Sequence, residues 1–334
     1  MPGQADSNSP AFWRDGEFRM FTSTGVPMMS RGTGQFAQYE PEEIWADRAD
    51  HFPMWMEAVW LDPDGTLYGW YHHEPGGLCK GSTLTAPQIG AVVSFDGGYS
   101  FYDQGIILSS GDPVDCSAKN GFFAGGHGDF SVIVDRDHNY FYFFFTNYGG
   151  DPASQGGAVA RMAFEDRRNP VPTVQKYFDG DWAEPGLGGR VTPVFPAAVS
   201  WQRSDTNSFW GPSIHWNTYL ESYVVLLNHA CCKPNWPQEG IYISFNPDPS
   251  DPEAWTRPEK ILHDIAYGPG YYPQVLGTGP AETDTLAGQV ARLYVQGHSK
   301  WEIVFSKASP PDPEPDPEPD PEPEPEPPPP PPEP

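Results

Sequence analysis

Four stretches of the chain begin in the same way, and this repetition restricts the fold more than any other feature. Each opens on polar or acidic residues and runs through an apolar strand and a tight turn into a second, aromatic strand. The openings are Met56-Glu57-Ala58-Val59-Trp60, His127-Gly128-Asp129-Phe130-Ser131, Trp210-Gly211-Pro212-Ser213-Ile214-His215 and Tyr272-Pro273-Gln274-Val275-Leu276. They fall roughly 60 to 80 residues apart, the long end of the range for a four-stranded β-propeller blade with its loops. The expected fold is therefore all-β, a five-bladed β-propeller. A fifth blade is expected to close where the segment around Phe18 to Met29 pairs with the C-terminal strands, since closure removes unpaired sheet edges.

The turns agree with that reading. Asp62-Pro63-Asp64-Gly65 lies between two apolar runs and supplies the positive φ of a tight hairpin. Asp135-Arg136-Asp137-His138-Asn139 does the same before the run Tyr140 to Thr146. Its Asp-x-Asp-x-Asn spacing lacks the glycine and the distant glutamate of a calcium loop, so it reads as a turn.

The propeller is expected over residues 1–309, followed by a tail over 310–334. There proline alternates with Asp or Glu and the chain runs through six prolines, Pro327 to Pro332. Such a segment cannot pack a core and is expected to be disordered, in an extended polyproline form. It reads as a linker to a further C-terminal module, such as a carbohydrate-binding domain. The formal charge is −26, and although nine acids lie in the tail the body stays acidic without them. Nucleic acid and anionic membranes need clustered Lys and Arg, so neither is an expected partner. No apolar run reaches the roughly 18 residues of a membrane span. The start of the chain lacks the basic and apolar regions of a signal peptide, so the protein is either cytoplasmic or has lost its signal.

Cys79, Cys116, Cys231 and Cys232 show no Cys-x-x-Cys zinc spacing. Two bridges, Cys79 to Cys116 and Cys231 to Cys232, or four thiols remain open.

In a propeller the inner strands start around one axis. That brings Glu57, Asp129, Trp210 and Tyr272 to one mouth, joined by loops carrying His73, Glu74, Asn147, His229, Trp236 and Glu239. Carboxylates with stacking rings suit a sugar, because glycosidic cleavage uses one carboxyl to protonate the leaving oxygen and another to activate water. Asp129 and Glu57 are the expected base and pKa-setting acid, in either order, and Glu239 the expected donor, with Glu74 in reserve. His229, His127, His73, Trp210, Trp236, Asn147 and Tyr272 are expected to bind the sugar. Neighbouring residues on a strand face opposite ways, so His72 and His73 cannot both reach the axis, and the histidines read as partners of sugar hydroxyls rather than metal ligands. No cofactor is required by this chemistry.

The pattern over residues 50 to 305 resembles the five-bladed propeller glycoside hydrolases, the clan of family 43. Gly128-Asp129-Phe130-Ser131-Val132 resembles that clan's Asp-Pro-Ser-Val segment, and Trp210-Gly211-Pro212-Ser213-Ile214-His215 its Glu-Gly-Pro-His-Ile segment, with Trp210 standing where the proton-donating glutamate is expected. Ser94-Phe95-Asp96-Gly97-Gly98-Tyr99-Ser100-Phe101 resembles the Asp-box of sialidase-like propellers. The resemblance implies a secreted glycoside hydrolase acting on a plant or algal polysaccharide or its oligosaccharides, with a calcium ion in the axial channel. Two alternatives are a carbohydrate-binding propeller without catalysis, which Trp210 favours, and a polysaccharide lyase using His229 or His127 with a tyrosine.

Overall fold

The computed structural model describes residues 1–36, 40–234, 237–263 and 270–307. The expected tail and Trp236 lie outside them. Five sheets, antiparallel but for two short parallel pairings, stand around one axis. The first holds Ala11–Arg14, Glu17–Ser23, Pro27–Gly32 and Glu42–Glu43, and the second Met54–Leu61, Leu67–His73, Gln88–Ser94 and Ser100–Leu108. The third starts with His127–Val134, Tyr140–Asn147 and Gly156–Ala163; the fourth runs Asn207–Asn217, Ser222–Cys231, Gln238–Asn246 and Glu259–Leu262. The fifth holds Pro273–Gly277, Val290–Val295 and His298–Val304. The five-bladed expectation is met.

The aromatic run of the third blade shows why the sheets stack. Side chains alternate along a strand, so a strand covered on both faces is apolar at every position. Phe141, Phe143 and Phe145 enter the core shared with Trp70 and Tyr68 of the second blade. Tyr142 and Phe144 face the other way, against Ile214, Tyr223 and Val225 of the fourth. Both layers are almost wholly buried.

The turns are held by their own side chains. Gly65 adopts φ 88°, and the Asp64 carboxylate accepts from the Thr66 amide at 2.9 Å. Both oxygens of Asp135 accept from backbone amides, of Asn139 and Tyr140, consistent with a turn. Between the third and fourth strands of the second blade, Asp96 accepts from the amides of Tyr99 and Ser100 and from the hydroxyls of Ser94 and Ser100.

Closure differs from expectation. The segment around Phe18 to Met29 pairs within its own blade and not with the C-terminal strands. The ring is joined instead by side chains: Gln274 both accepts from the Ser9 amide at 2.8 Å and donates to the Ser9 carbonyl at 2.7 Å. Asp284 accepts from the Ala11 amide, and Ala11, Phe18 and Met20 pack on Leu276 and Tyr294. The reason lies in numbers of strands: the N-terminal segment supplies enough to form a whole blade.

Candidate active site

The inner strands of the second, third and fourth blades all break register near the axis. The shifts lie between Met56 and Ala58, between Gly128 and Phe130, and between Trp210 and Ser213. A bulge re-aims the extra residue, here Glu57, Asp129 and the Gly211-Pro212 pair. Asp129 takes the left-handed φ of 41° and Tyr272, at the head of the fifth blade, φ 52°. Both conformations are uncommon for residues other than glycine and hold the side chains at the axis. Gly128 is fixed by crowding, since a Cβ there would come within 2.7 Å of His72 Cε1.

These residues border a cavity of about 300 Å³, walled by Trp55, Phe122, Phe123, Trp210, Tyr271 and Tyr272 and carrying Asp6, His72, Glu74 and Asp129. Its size is at the lower end for small-molecule sites. A larger hollow, about 670 Å³, opens between the first and fifth blades around Arg292 and Tyr294. It gathers no comparable set of carboxylates.

Asp129 is buried, and both its oxygens are occupied. Oδ1 accepts from the Tyr272 hydroxyl at 3.1 Å and Oδ2 from the Tyr148 hydroxyl. Burial pushes its carboxyl up, against the pull of His72 and the two phenols. Burial and the Asp129 charge push both phenols well above the usual tyrosine range, so they stay protonated and donate. Tyr148 is itself held by Phe123, stacked at 4.1 Å, and by Trp201 edge-on at 4.9 Å.

His72 links the carboxylates. Its Nδ1 lies 3.2 Å from Glu57 Oε1 and 3.1 Å from the Asp129 amide, and its Nε2 lies 3.4 Å from Glu74 Oε1. A proton on Nδ1 donates to Glu57; a proton on Nε2 faces Glu74 and leaves Nδ1 to accept from the amide. Burial pulls the imidazole down, but Glu57, Glu74 and Asp129 together lift it well above its ordinary value. Glu57 also accepts from the Phe130 amide at 2.9 Å, and burial raises its carboxyl to about 7. Glu57 sits beneath the cavity rather than in its wall.

The acid that sequence reasoning missed is Asp6. It precedes the first blade, where no strand periodicity marks it, although Ser7-Asn8-Ser9-Pro10 leads into Ala11 much as the other openings lead into their strands. Burial, with the charges of Asp129 and Glu74, raises its carboxyl to about 6. Phe122, Phe123 and Tyr271 were missed as well, since their loops carry no pattern of their own, and so was Trp55, which stands in the inner strand Met54–Leu61 just before the opening read from the sequence.

Other expected site residues lie apart from the cavity. Glu239 is bound by Lys260, by the Tyr242 hydroxyl at 2.6 Å and by His229 Nδ1 at 2.8 Å. Burial pushes it up, but these three partners outweigh burial and hold it at about 2. Glu239 is thus ion-paired and hydrogen-bonded away from the cavity where the donor was expected. His229 also meets Asn207 at 3.0 Å, His127 accepts from the buried Lys176 at 2.9 Å, and His73 meets the Pro53 carbonyl at 3.3 Å. Asn147 donates to the Gly149 and Ser154 carbonyls and holds that loop. None of these five borders the cavity. Trp210 does, with its indole N–H donating to Gln238 at 3.0 Å and its ring edge-on to Tyr272 at 5.6 Å.

Ligand atoms of Glu57, His72 and Asp129 lie within 4.8 Å of one another. A calcium ion takes six to eight oxygen ligands. Here three of the four carboxylate oxygens accept from protein donors, the fourth lies 3.2 Å from His72 Nδ1, and the third group is an imidazole, so this cluster does not fit calcium. Both cysteine bridges form, Cys79 with Cys116 and Cys231 with Cys232. Among the described residues no helix is long and apolar enough to cross a membrane.

Neither the models of protein families nor the curated proteins include a match to the sequence. Solved structures do resemble it. An α-L-arabinofuranosidase from Lactobacillus brevis aligns with a TM-score of 0.54 at 13% identity, over 90% of this chain and 86% of that one. An exo-β-1,3-galactanase from Clostridium thermocellum gives 0.50 at 11%, over 87% and 56%. One from Phanerochaete chrysosporium, with β-1,3-galactotriose, gives 0.50 at 11%, over 83% and 55%. The chain spans little more than half the length of the two galactanases. At these identities the likeness establishes a shared fold, the five-bladed β-propeller.

Proposed function

We propose that this chain is a secreted glycoside hydrolase that cleaves a plant or algal polysaccharide or its oligosaccharides in the axial cavity. The observation that carries this reading is the meeting of three carboxyl groups, Asp6, Glu74 and Asp129, with aromatic walls in one hollow. Rings cover the apolar faces of a sugar, and paired carboxyls supply the proton and the activated water. The folds of an arabinofuranosidase and two exo-galactanases support it. The two disulfides support an oxidising, extracellular setting.

In this reading Asp6 is the proton donor, because a carboxyl raised to about 6 still carries its proton in mildly acidic solution. Glu74 takes the proton of the attacking water. Asp129, gripped by two phenols, orients the sugar, and its negative charge keeps Asp6 protonated. Glu57 works from below by fixing His72. Hydrolysis should be sought on a panel of polysaccharides with mass spectrometry of the products. Asp6→Asn and Asp129→Asn should each lower the rate by about 10²-fold or more, and full activity in both variants removes the reading.

Trp210 favours a second reading, sugar binding without cleavage, because it stands where the resemblance calls for a glutamate. Retention on glycan arrays with no reducing sugar released would select it.

A further inference from the structure

We propose that the outer rim of the second blade is a separate binding surface for an uncharged, twisted polysaccharide chain. Three large aromatic side chains stand in the open there: Trp45 is 54% exposed, Phe95 66% and Tyr102 45%. Single exposed apolar residues are ordinary, but a contiguous group marks an interaction surface. These three are contiguous, with ring centres 5.7 Å apart between Trp45 and Tyr102 and 6.1 Å between Phe95 and Tyr102.

The strand pairing explains the exposure. Tyr68 opposes Val93, and Val93 opposes Tyr102, so the three share one face of the sheet. Near the axis that face is buried against the third blade, where Tyr68 joins the common core. On the outermost strand Tyr102 is left uncovered. Trp45 is added by a two-residue strand, Trp45–Ala46, that pairs parallel to the outermost strand. Nearby Tyr99 is covered by the guanidinium groups of Arg19 and Arg31, whereas among the described residues no cation lies over the three rim rings.

Charge and polarity select the occupant. Beside Phe95 a hollow of about 350 Å³ holds Asp64, Arg168 and Gln104. Asp64 and Arg168 pair at 3.3 Å and cancel, which leaves hydrogen-bonding groups without net charge next to stacking rings. Sugar hydroxyls match such groups, and the acidic body repels polyanions. The rings are not coplanar: Trp45 and Tyr102 meet at 70°, Phe95 and Tyr102 at 40°. They form a trough, which suits a chain that twists and not a flat crystalline face. The inference rests on the reading that this protein acts on carbohydrate, and gives it a place to hold a polymer while the axial cavity works on it.

The test is affinity electrophoresis in gels containing arabinoxylan, β-1,3-galactan or polygalacturonate, run in an Asp129→Asn background so that the polymer stays intact. The Asp129→Asn protein should be retarded by at least one of the two neutral polymers and not by polygalacturonate. Adding Trp45→Ala and Tyr102→Ala should weaken that retardation about tenfold or more, while Tyr102→Phe, which keeps the ring, should preserve it. In the otherwise native protein the two alanine changes should leave hydrolysis of short aryl glycosides as it was. Unchanged retardation in the double alanine variant, or loss of short-substrate hydrolysis with it, overturns the rim site. Absence of hydrolysis on every substrate would instead overturn the catalytic reading, and the retardation assay would still decide the rim.

Discussion

Replacing Tyr148 with phenylalanine removes one hydroxyl from the centre of the site and little else. The ring keeps its stack on Phe123 and its edge contact with Trp201, so the wall of the cavity should stand. Asp129 loses the donor to Oδ2 and keeps Tyr272 on Oδ1. A hydrogen bond to a charged group contributes about 1.5 to 3 kcal/mol. At 1.36 kcal/mol per pKa unit, the Asp129 carboxyl should rise by about 1 to 2 units. Burial already raises this group, so the change adds in the same direction. Carbon NMR of the labelled carboxyl reads the titration without a substrate. With one, the acidic limb of kcat/KM should move to higher pH by the same amount, because an ionised Asp129 is required. An unmoved titration would show that Tyr148 does not hold the carboxylate and would refute the reasoning.

Three further outcomes are expected. Glu239→Gln should leave hydrolysis within about threefold of the native rate, since Glu239 is engaged with Lys260, Tyr242 and His229 outside the cavity; a loss of several orders of magnitude would return it to the chemistry. Phe143→Ala should lower stability by about 3 to 5 kcal/mol in denaturant melts, because the ring is wholly buried between two blades. Lys176 is buried, and burial lowers its ammonium to about 7, against an unfolded value of 10.5. The unfolded chain binds more protons between those values, so stability should rise with pH from about 7 to 9, and Lys176→Met should flatten that rise.

Much of the fold was legible because the inner strands of four blades begin with a polar-to-apolar step and the first hairpins of the second and third blades carry an Asp-Gly or Asp-rich turn. Glu57, Asp129, Trp210 and Tyr272 were found by that position alone. Four things were not legible. The bulges at Glu57, Asp129 and Gly211 break simple alternation, and they decide which side chains turn inward. Glu239 misled because its ion-pair partner, Lys260, comes from a four-residue strand too short to show a period. Asp6 was hidden in a segment with no strand at all, held by bonds from its own amide to the Ser23 carbonyl and from Asn8 to the Phe130 and Pro212 carbonyls. Closure misled for a related reason: the side chains of Gln274 and Asp284 do what strand pairing was expected to do.

The proposal stands on one meeting of side chains: Asp129, Trp210 and Tyr272 from separate blades join Asp6 and Glu74 around a single cavity that takes the sugar. A crystal structure of the Asp129→Asn protein with an oligosaccharide that it binds tests this most directly. The sugar should lie in the axial hollow, stacked on Trp210 or Tyr272 with Asp6 and Glu74 at one glycosidic oxygen and its anomeric carbon. A sugar bound in the hollow between the first and fifth blades, with the axial cavity empty, would contradict it.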